Sequence, residues 1–567
     1  MDENIRLAYR NIKKNMGSTT AGTDGLTIND IKSLSVEEVI VKVKSMFDWY
    51  KPQSVRRVFI PKPNGDKRPL GIPTIGDRIF QQCILQILEP ICEAKFHNHS
   101  YGFRPNRSTH HALARMKSQV NRKSKGLHFC IDIDIKGFFD NVNHGKLLKQ
   151  MWTLGIKDKT LLSIISRLLK AEIQTEGIPI KGTPQGGILS PLLSNIVLNE
   201  LDWWVSDQWE TLQTKHNYHK PGAKFRQLKK TKLKECFIVR YADDFKILCR
   251  NYQTAQKLFN ATKDFLKTRL HLDINQEKSR IVNLRKQSSE FLGFNLKATK
   301  KRDGYVAHSR MTHKAKIHAY QKLKRAIKDI RRKQTPEAVW HYNTIIMGIH
   351  NYYSVATHIN KDLDQLNHHL TKTLYNRLRI DWKVATRSDM TKTIQERYKG
   401  YNPKLYKIHD IVLIPLYAQK HRPATNFSQW MTNFTPKGRE KIHQNLKCIN
   451  KDVLRHIQRF YIKHRTIEYN DNRLSKFVAQ FGKCSITGIE FGLNDSHCHH
   501  IRPKGMGGTD DYRNLTLVLE NIHQAIHTQE VESAKTILSK YGLTEEKKMR
   551  FDELREKVHC KPVFNLG

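Results

Sequence analysis

The sequence predicts an α+β protein of several domains, and three observations carry that prediction. Its 567 residues are enough for three or four domains at about 150 residues each. With 38% hydrophobic, 9% aromatic and 27% charged residues, the composition is globular. From about 55 to 300, short apolar runs bounded by turn residues alternate with helical stretches, which is an α+β pattern. The charge narrows the function: 99 Lys and Arg against 53 Asp and Glu leave a net +46. Such an excess calls for a polyanionic partner. Nucleic acid is favoured over a membrane surface, because no apolar run approaches the roughly 18 residues of a span and no basic amphipathic anchor stands out. The first residues, MDENIRLAYR, lack the apolar core of a signal peptide. Nine scattered cysteines, an odd number, argue against a disulfide framework and for a reducing compartment, hence a cytoplasmic location.

Taken in order, residues 1–50 read as helical and polar, with a turn-rich patch from Ser18 to Gly25. Strands are predicted at Val55 to Ile60, Phe129 to Ile135, Phe237 to Tyr241 and Phe245 to Cys249, each bounded by turn residues. Lys215 to Lys234 carries eight Lys/Arg and no acid around Pro221-Gly222, which predicts an exposed, extended insertion. Beyond Phe294 the composition shifts. Lys297 to Lys333 holds 14 Lys/Arg against Asp303 and Asp329, with helical periodicity from about Thr312, so a domain boundary is expected there. A helical region runs to about Asn402, a mixed basic segment follows, and a Gly-, His- and Asn-rich unit begins near Lys483.

Two constellations carry chemistry. In Phe129-Cys-Ile-Asp-Ile-Asp-Ile135 the alternation puts Asp132 and Asp134 on one strand face. A second pair, Asp243-Asp244, sits between two apolar runs and reads as the turn of a β-hairpin. Carboxylates crowded together need a cation, and hard oxygen ligands suit Mg²⁺; two such ions would serve an in-line phosphoryl displacement. Near the C-terminus stand His499-His500, Asn514, His523 and His527. Leu517 to His527 reads as a helical stretch that puts His523 and His527 on one face. With His499 from a preceding strand they make three ligands and leave an open position for a scissile phosphate. His500 would then deprotonate water, with Asn514 holding the intervening loop or orienting His500.

The tetrad Tyr241-Ala-Asp-Asp244 and the run Asp134-Ile-Lys-Gly-Phe-Phe-Asp140 resemble the catalytic motifs of reverse transcriptases, specifically the group II intron-encoded proteins. Ile60-Pro-Lys-Pro-Asn-Gly-Asp-Lys-Arg-Pro-Leu-Gly-Ile-Pro73, Ser100-Tyr-Gly-Phe-Arg-Pro-Asn-Arg-Ser108 and Gly182-Thr-Pro-Gln-Gly-Gly-Ile-Leu-Ser-Pro191 resemble the family's fingers and palm in the family's order. The resemblance implies a metal-binding triad of Asp134, Asp243 and Asp244, with Ile135 adding a backbone carbonyl; Asp132 lies outside the motif. It implies Lys62 and Arg68 on the incoming triphosphate and Phe139 excluding a ribose 2′-OH. Gln185, beside Gly186 and Gly187, would hold the nascent base pair. Lys278 would lie near the leaving pyrophosphate, and Phe291-Leu-Gly-Phe294 would form the primer grip. Gly348-Ile-His-Asn-Tyr-Tyr353 resembles the thumb, or maturase domain X, where basic helices and Trp340, Tyr342, Tyr352 and Tyr353 suit structured RNA. The histidine pattern around Gly507-Gly508-Thr509-Asp510 resembles HNH nucleases of the ββα-metal type. Many relatives add cysteine pairs for Zn²⁺, but Cys484-Ser-Ile-Thr487 lacks the second cysteine and Cys498 and Cys560 stand singly, so no four-cysteine zinc site is expected.

The fold implied is a right-hand polymerase with fingers and palm, helical thumb, basic DNA-binding segment and ββα-metal domain. Its divisions fall at 1–50, 51–300, 301–410, 411–478 and 479–567. The cofactors implied are two Mg²⁺ in the polymerase site and one divalent metal, Mg²⁺ or a transition metal, in the nuclease site. The partners implied are intron RNA as a lariat, target DNA and dNTPs, with no membrane, in a bacterial cytoplasm or nucleoid or in an organelle. Two alternatives stand beside this: a splicing-only maturase with relic enzyme sites, and a stand-alone reverse transcriptase of the retron or defence type.

Overall fold

The computed structural model describes residues 1–61, 67–122, 126–302, 304–402, 404–444 and 449–564. Two compact units interleave along the chain, one formed by Met1–Lys95, Asn143–Leu193 and Trp430–Gly567, the other by Phe96–Val142 and Ser194–Gln429. These units cut across the five sequential divisions read from the sequence.

In the first unit, the helix Asp2–Lys13 buries Ile5, Ala8, Tyr9 and Ile12. That 3,4 spacing gives one apolar stripe, and it packs on the helix Ile75–Glu93. Ser35 and Glu38 form a capping box that starts the helix Val36–Asp48. Strands Arg56–Pro61 and Lys67–Ile72 pair antiparallel. The helix Ile467–Ala479 is tied to the N-terminal helix by Arg10 and Lys13 on Asp471, Lys13 on Glu468, and the Tyr9 hydroxyl donating to Glu468. The C-terminal module is a hairpin of Ser496–His500 on Leu515–Leu519 followed by the helix Glu520–His527. Its core includes Ile486, Phe491, Leu515, Leu517, Ile522, Ile526 and Phe551, and it also buries Cys484, Cys498 and Cys560.

In the second unit, four antiparallel strands run in the order Cys236–Tyr241, Asp244–Cys249, Phe129–Ile133 and Arg280–Asn283. A meander of Ser289–Phe291, Phe294–Lys301 and Gly304–Met311 follows. Then come three helices, His313–Lys333, Pro336–Tyr353 and Ile359–Leu378. The basic helix buries Ala319, Leu323, Ala326, Ile327 and Ile330 along one stripe, leaving its Lys and Arg residues on the other faces. Among the described residues no helix is long and apolar enough to cross a membrane.

Several expectations change. The strand begun at Phe129 ends at Ile133, not Ile135, because Asp134 and Ile135 leave the central ladder to pair with Ile274 and Asn275. The insertion 215–234 contains a helix, Pro221–Leu228, where extension was expected. Pro221 at the first turn suits a helix start, and Phe225 packs between Trp209 and Phe237, with the Arg122 guanidinium over its ring. The region after Thr312 is not wholly helical as far as Asn402, since Lys383–Ala385 leaves the helices to pair with Leu405–Ile408, which in turn pairs with Ile411–Val412. Leu517 to Leu519 is strand, and the helix bearing the two histidines starts only at Glu520.

Two buried histidines are expected to make the second unit acid-labile. His97, bonded to the Ser206 hydroxyl, and His350, bonded to Tyr398 Oη and the Leu416 carbonyl, are both pushed down to about 4, chiefly by burial. The unfolded chain takes up these protons near pH 6.5 and the folded chain does not, so their contribution is complete above about pH 6.5. It is lost as pH falls from there toward 4, at roughly 3 kcal/mol per histidine. Urea unfolding at pH 7.5 and pH 5 is expected to show this loss, with a smaller loss in His350→Gln.

Candidate functional site

The hairpin between Cys236–Tyr241 and Asp244–Cys249 closes through Ala242 and Asp243, with Tyr241 opposite Asp244. This turn comes beside the end of Phe129–Ile133, whose partner across the ladder is Phe245. Asp134, Asp243 and Asp244 therefore line one open cleft of about 660 Å³, together with Asp132, Lys246, Lys278, Arg280 and Gly293 among others. The Asp134 amide donates to Ser279 Oγ at 3.1 Å and its carbonyl accepts from the Asn275 amide at 2.7 Å, which fixes its backbone. Lys278 Nζ lies 3.9 Å from its carboxylate.

Behind Asp134 and Asp243 lies a network that is buried at Asp132 and Lys246 and reaches the partly exposed Asp244. Lys246 stands 3.5 Å from both Asp132 and Asp244, and Ser289 Oγ donates to Asp132 at 3.0 Å. Burial raises the Asp244 carboxyl above its usual range, opposed by Lys246. Burial also works against the charged Lys246, but Asp244 and Asp132 outweigh it and hold the ammonium above its ordinary value. Asp132 thus anchors Lys246 and does not join the exposed carboxylates. Sequence reasoning missed Lys246, although Asp-Phe-Lys on a strand puts it on the face of Asp244. Ser289 carries no comparable signal.

The other predicted contacts are spread over the chain. Phe139 is half-buried, edge-on to Phe138 at 5.3 Å. Arg68 is exposed opposite Ile60 in the Arg56–Pro61 hairpin, and Lys62 lies outside the described residues. The Gln185 carbonyl accepts from the Gly71 amide at 2.6 Å. Gly186, at φ +118°, lets the two backbones meet, since a Cβ there would stand 2.3 Å from the Gly71 carbonyl oxygen. Phe291 and Phe294 flank the tight turn Leu292-Gly293, and Tyr352 Oη donates to the Leu292 carbonyl at 3.0 Å. Tyr352 and Tyr353 both pack on Phe294. Tyr342 is core, while Trp340 is 53% exposed and able to stack on a base.

The C-terminal module brings its predicted ligands together. Donor atoms of His499, His523 and His527 all lie within 4.8 Å of one another. His499 Nε2 is buried with no hydrogen-bond partner, a donor that a metal ion would satisfy. Burial and the neighbouring histidines push His499 and His523 down to about 3, so both are neutral, as ligation requires. His500 Nε2 meets Asp510 Oδ1 at 2.7 Å, and the ring stacks on Tyr469. Burial opposes the Asp510 charge, but hydrogen bonds from His500, Thr466 and Lys504 hold the carboxyl far below its usual value. That anion keeps the His500 proton on Nε2 and leaves Nδ1 as the basic nitrogen. Asn514 bonds the Arg502 amide and the Arg502 and Thr509 carbonyls, so of its two expected roles it takes the loop. Orienting His500 falls to Asp510. His497, stacked 3.6 Å from the His523 ring, was also missed.

An open cleft lined by carboxylates at the end of an antiparallel sheet suits metal-dependent nucleotidyl transfer, and similarity to known proteins points to the same class. Residues 60–296 match the reverse transcriptase (RNA-dependent DNA polymerase) family. The chain is 31% identical over 461 residues to the group II intron-encoded protein LtrA of Lactococcus lactis subsp. cremoris, covering 70% of this chain and 73% of that one. It is 33% identical over 302 residues to protein YkfC of Escherichia coli (strain K12), covering 51% and 78%. It is 29% identical over 471 residues to the putative COX1/OXI3 intron 1 protein of Saccharomyces cerevisiae, covering 70% and 54%. The chain belongs to the group II intron-encoded proteins and is a reverse transcriptase and maturase of that family.

Proposed function

We propose that the chain works in intron mobility by target-primed reverse transcription, with two chemically separate metal sites. The polymerase reading is carried by one observation: Asp134, Asp243 and Asp244 share a single open cleft with Lys278 at its rim. Mg²⁺ held by Asp134, Asp243 and the Ile135 carbonyl, with Asp244 beside them, would supply charge stabilisation to the attacking 3′ oxygen and the leaving pyrophosphate. Lys278 then neutralises charge on the pyrophosphate side. Arg68 and Lys62 would grip the triphosphate and Gln185 would hold the nascent pair, as the family resemblance implies. Phe139 excludes the 2′-OH. Phe139→Ala is expected to raise incorporation of rNTPs relative to dNTPs by roughly tenfold or more, read as the ratio of kcat/KM values.

The helical region after Thr312 would grip intron RNA through its Lys and Arg faces, assisting splicing while the RNA performs the chemistry. The protein would stay with the excised lariat and carry it to a DNA target, read mostly by RNA pairing. The second strand would be cut by the C-terminal module. His499, His523 and His527 form the ligand set, and their all-nitrogen donors favour a transition metal over Mg²⁺. His500 Nδ1 takes the proton from water, Asp510 steadies the resulting imidazolium, and Asn514 keeps the loop in register. The new 3′-OH would prime synthesis in the palm cleft. The test is strand-specific nicking of a duplex target by the ribonucleoprotein: a nick absent from wild type would remove the nuclease from this reading.

A further inference from the structure

The catalytic turn is built in a conformation its sequence does not prefer. Ala242, immediately before Asp243, has φ +57°, the left-handed region that a residue with a Cβ seldom adopts. The neighbouring buried charge explains how it stays there. Arg240 is 1% exposed, and its guanidinium donates to both oxygens of Asp202, to Asn195 Oδ1 at 2.9 Å and to the Ala242 carbonyl at 2.8 Å. Asp202 is fully buried and pairs with Arg240 at 2.6 Å. Asn195 also donates to the Gly102 carbonyl at 2.9 Å. The circuit closes through the backbone: the Arg240 amide donates to the His99 carbonyl and the Tyr101 amide to the Arg240 carbonyl. Gly102 sits so near the turn that a Cβ on it would fall 2.3 Å from the Ala242 nitrogen.

We propose that Arg240, fixed by Asp202 and Asn195, is a positioning residue that clamps Ala242 in its left-handed conformation and so sets where Asp243 and Asp244 stand. It touches no substrate; it acts through one carbonyl. A planar fork is needed because the guanidinium serves a carboxylate, an amide and a carbonyl at once, which an ammonium cannot do with the same geometry. The polar stripe Asn195, Asn199, Asp202 and Ser206, buried along one face of the helix Ser190–Asp207, exists to hold the Arg240 fork and the 97–102 segment. This rests on Asp243 and Asp244 being the metal-holding carboxylates.

The experiment compares primer extension by the full chain with Arg240→Lys, Gly102→Ala, Ala242→Gly, the double variant Arg240→Lys/Ala242→Gly, and Asp243→Asn. Splicing of the intron RNA, which does not use these carboxylates, reports folding. Arg240→Lys is expected to lower kcat about ten- to a hundredfold, to raise the Mg²⁺ concentration for half-maximal rate, and to leave splicing unchanged. Gly102→Ala, which displaces the turn with Arg240 intact, is expected to do the same. Glycine at 242 no longer needs the clamp, so the double variant is expected to recover at least about fivefold over Arg240→Lys. A double variant no more active than Arg240→Lys overturns the proposal. So does full extension activity in Arg240→Lys, or loss of splicing in parallel with extension in both Arg240→Lys and Gly102→Ala, which would make the network a folding element. Retained activity in Asp243→Asn would instead remove the reading of the carboxylates.

Discussion

Asp243→Asn is expected to abolish extension of a DNA primer on an RNA template, a loss of about a thousandfold or more, while RNA splicing persists. The substitution is nearly isosteric but removes one negative charge from the cleft proposed to hold cations against a triphosphate. Asp243 sits in the two-residue turn, not in a strand, so the change breaks no ladder hydrogen bond. The network beneath it, Asp132, Lys246 and Asp244, is left intact. A loss confined to polymerisation therefore reports on chemistry and not on folding. An equal loss of splicing would mean that the turn supports the RNA-binding surface as well.

The second large effect is expected at His500. His500→Ala should reduce nicking of the second DNA strand by roughly a hundred- to ten-thousandfold and leave extension from a pre-annealed primer unchanged. Asp510 then loses the group it holds, but Thr466 and Lys504 still satisfy its carboxylate, so the module should keep its fold. His499→Ala should also stop nicking, and in addition should abolish binding of Zn²⁺ or Ni²⁺ measured by calorimetry. The contrast separates a proton acceptor from a ligand. Equal metal binding by wild type and His499→Ala would place the metal elsewhere.

The two sites were legible to different degrees, for physical reasons. Period-two alternation put Asp134 on a polar strand face, the hairpin pattern put Asp243 and Asp244 at a turn, and helical spacing paired His523 with His527; each is a local pattern, whereas the joining of Asp134 to Asp243 and of His499 to His523 is made by the fold. The end of the strand at Ile133 was not legible, since it depends on pairing of Ile135 with Ile274, far along the chain. Asp510 as the partner of His500 was hidden for the same kind of reason: a hairpin loop folds back over ten residues to deliver it. The helix Pro221–Leu228 was masked by its charge. Its stabilising contacts come from Trp209 and Phe237, outside the stretch, and buried aromatic packing outweighed repulsion among exposed lysines. Arg240 carried no signal in the sequence, because a buried ion pair is recognised only when its partner helix is in place.

Target-primed synthesis on one duplex tests the central claim, that one chain serves two separate chemical sites. Ribonucleoproteins reconstituted from lariat RNA with wild type, Asp243→Asn or His500→Ala would be given end-labelled duplex target, dNTPs and Mg²⁺, with added Zn²⁺ in a parallel series. Wild type is predicted to yield both the second-strand nick and cDNA joined to it. Asp243→Asn is predicted to yield the nick without cDNA, and His500→Ala to yield neither until the target is supplied already nicked, when cDNA returns. A nick that disappears in Asp243→Asn, or survives unchanged in His500→Ala, would contradict the account.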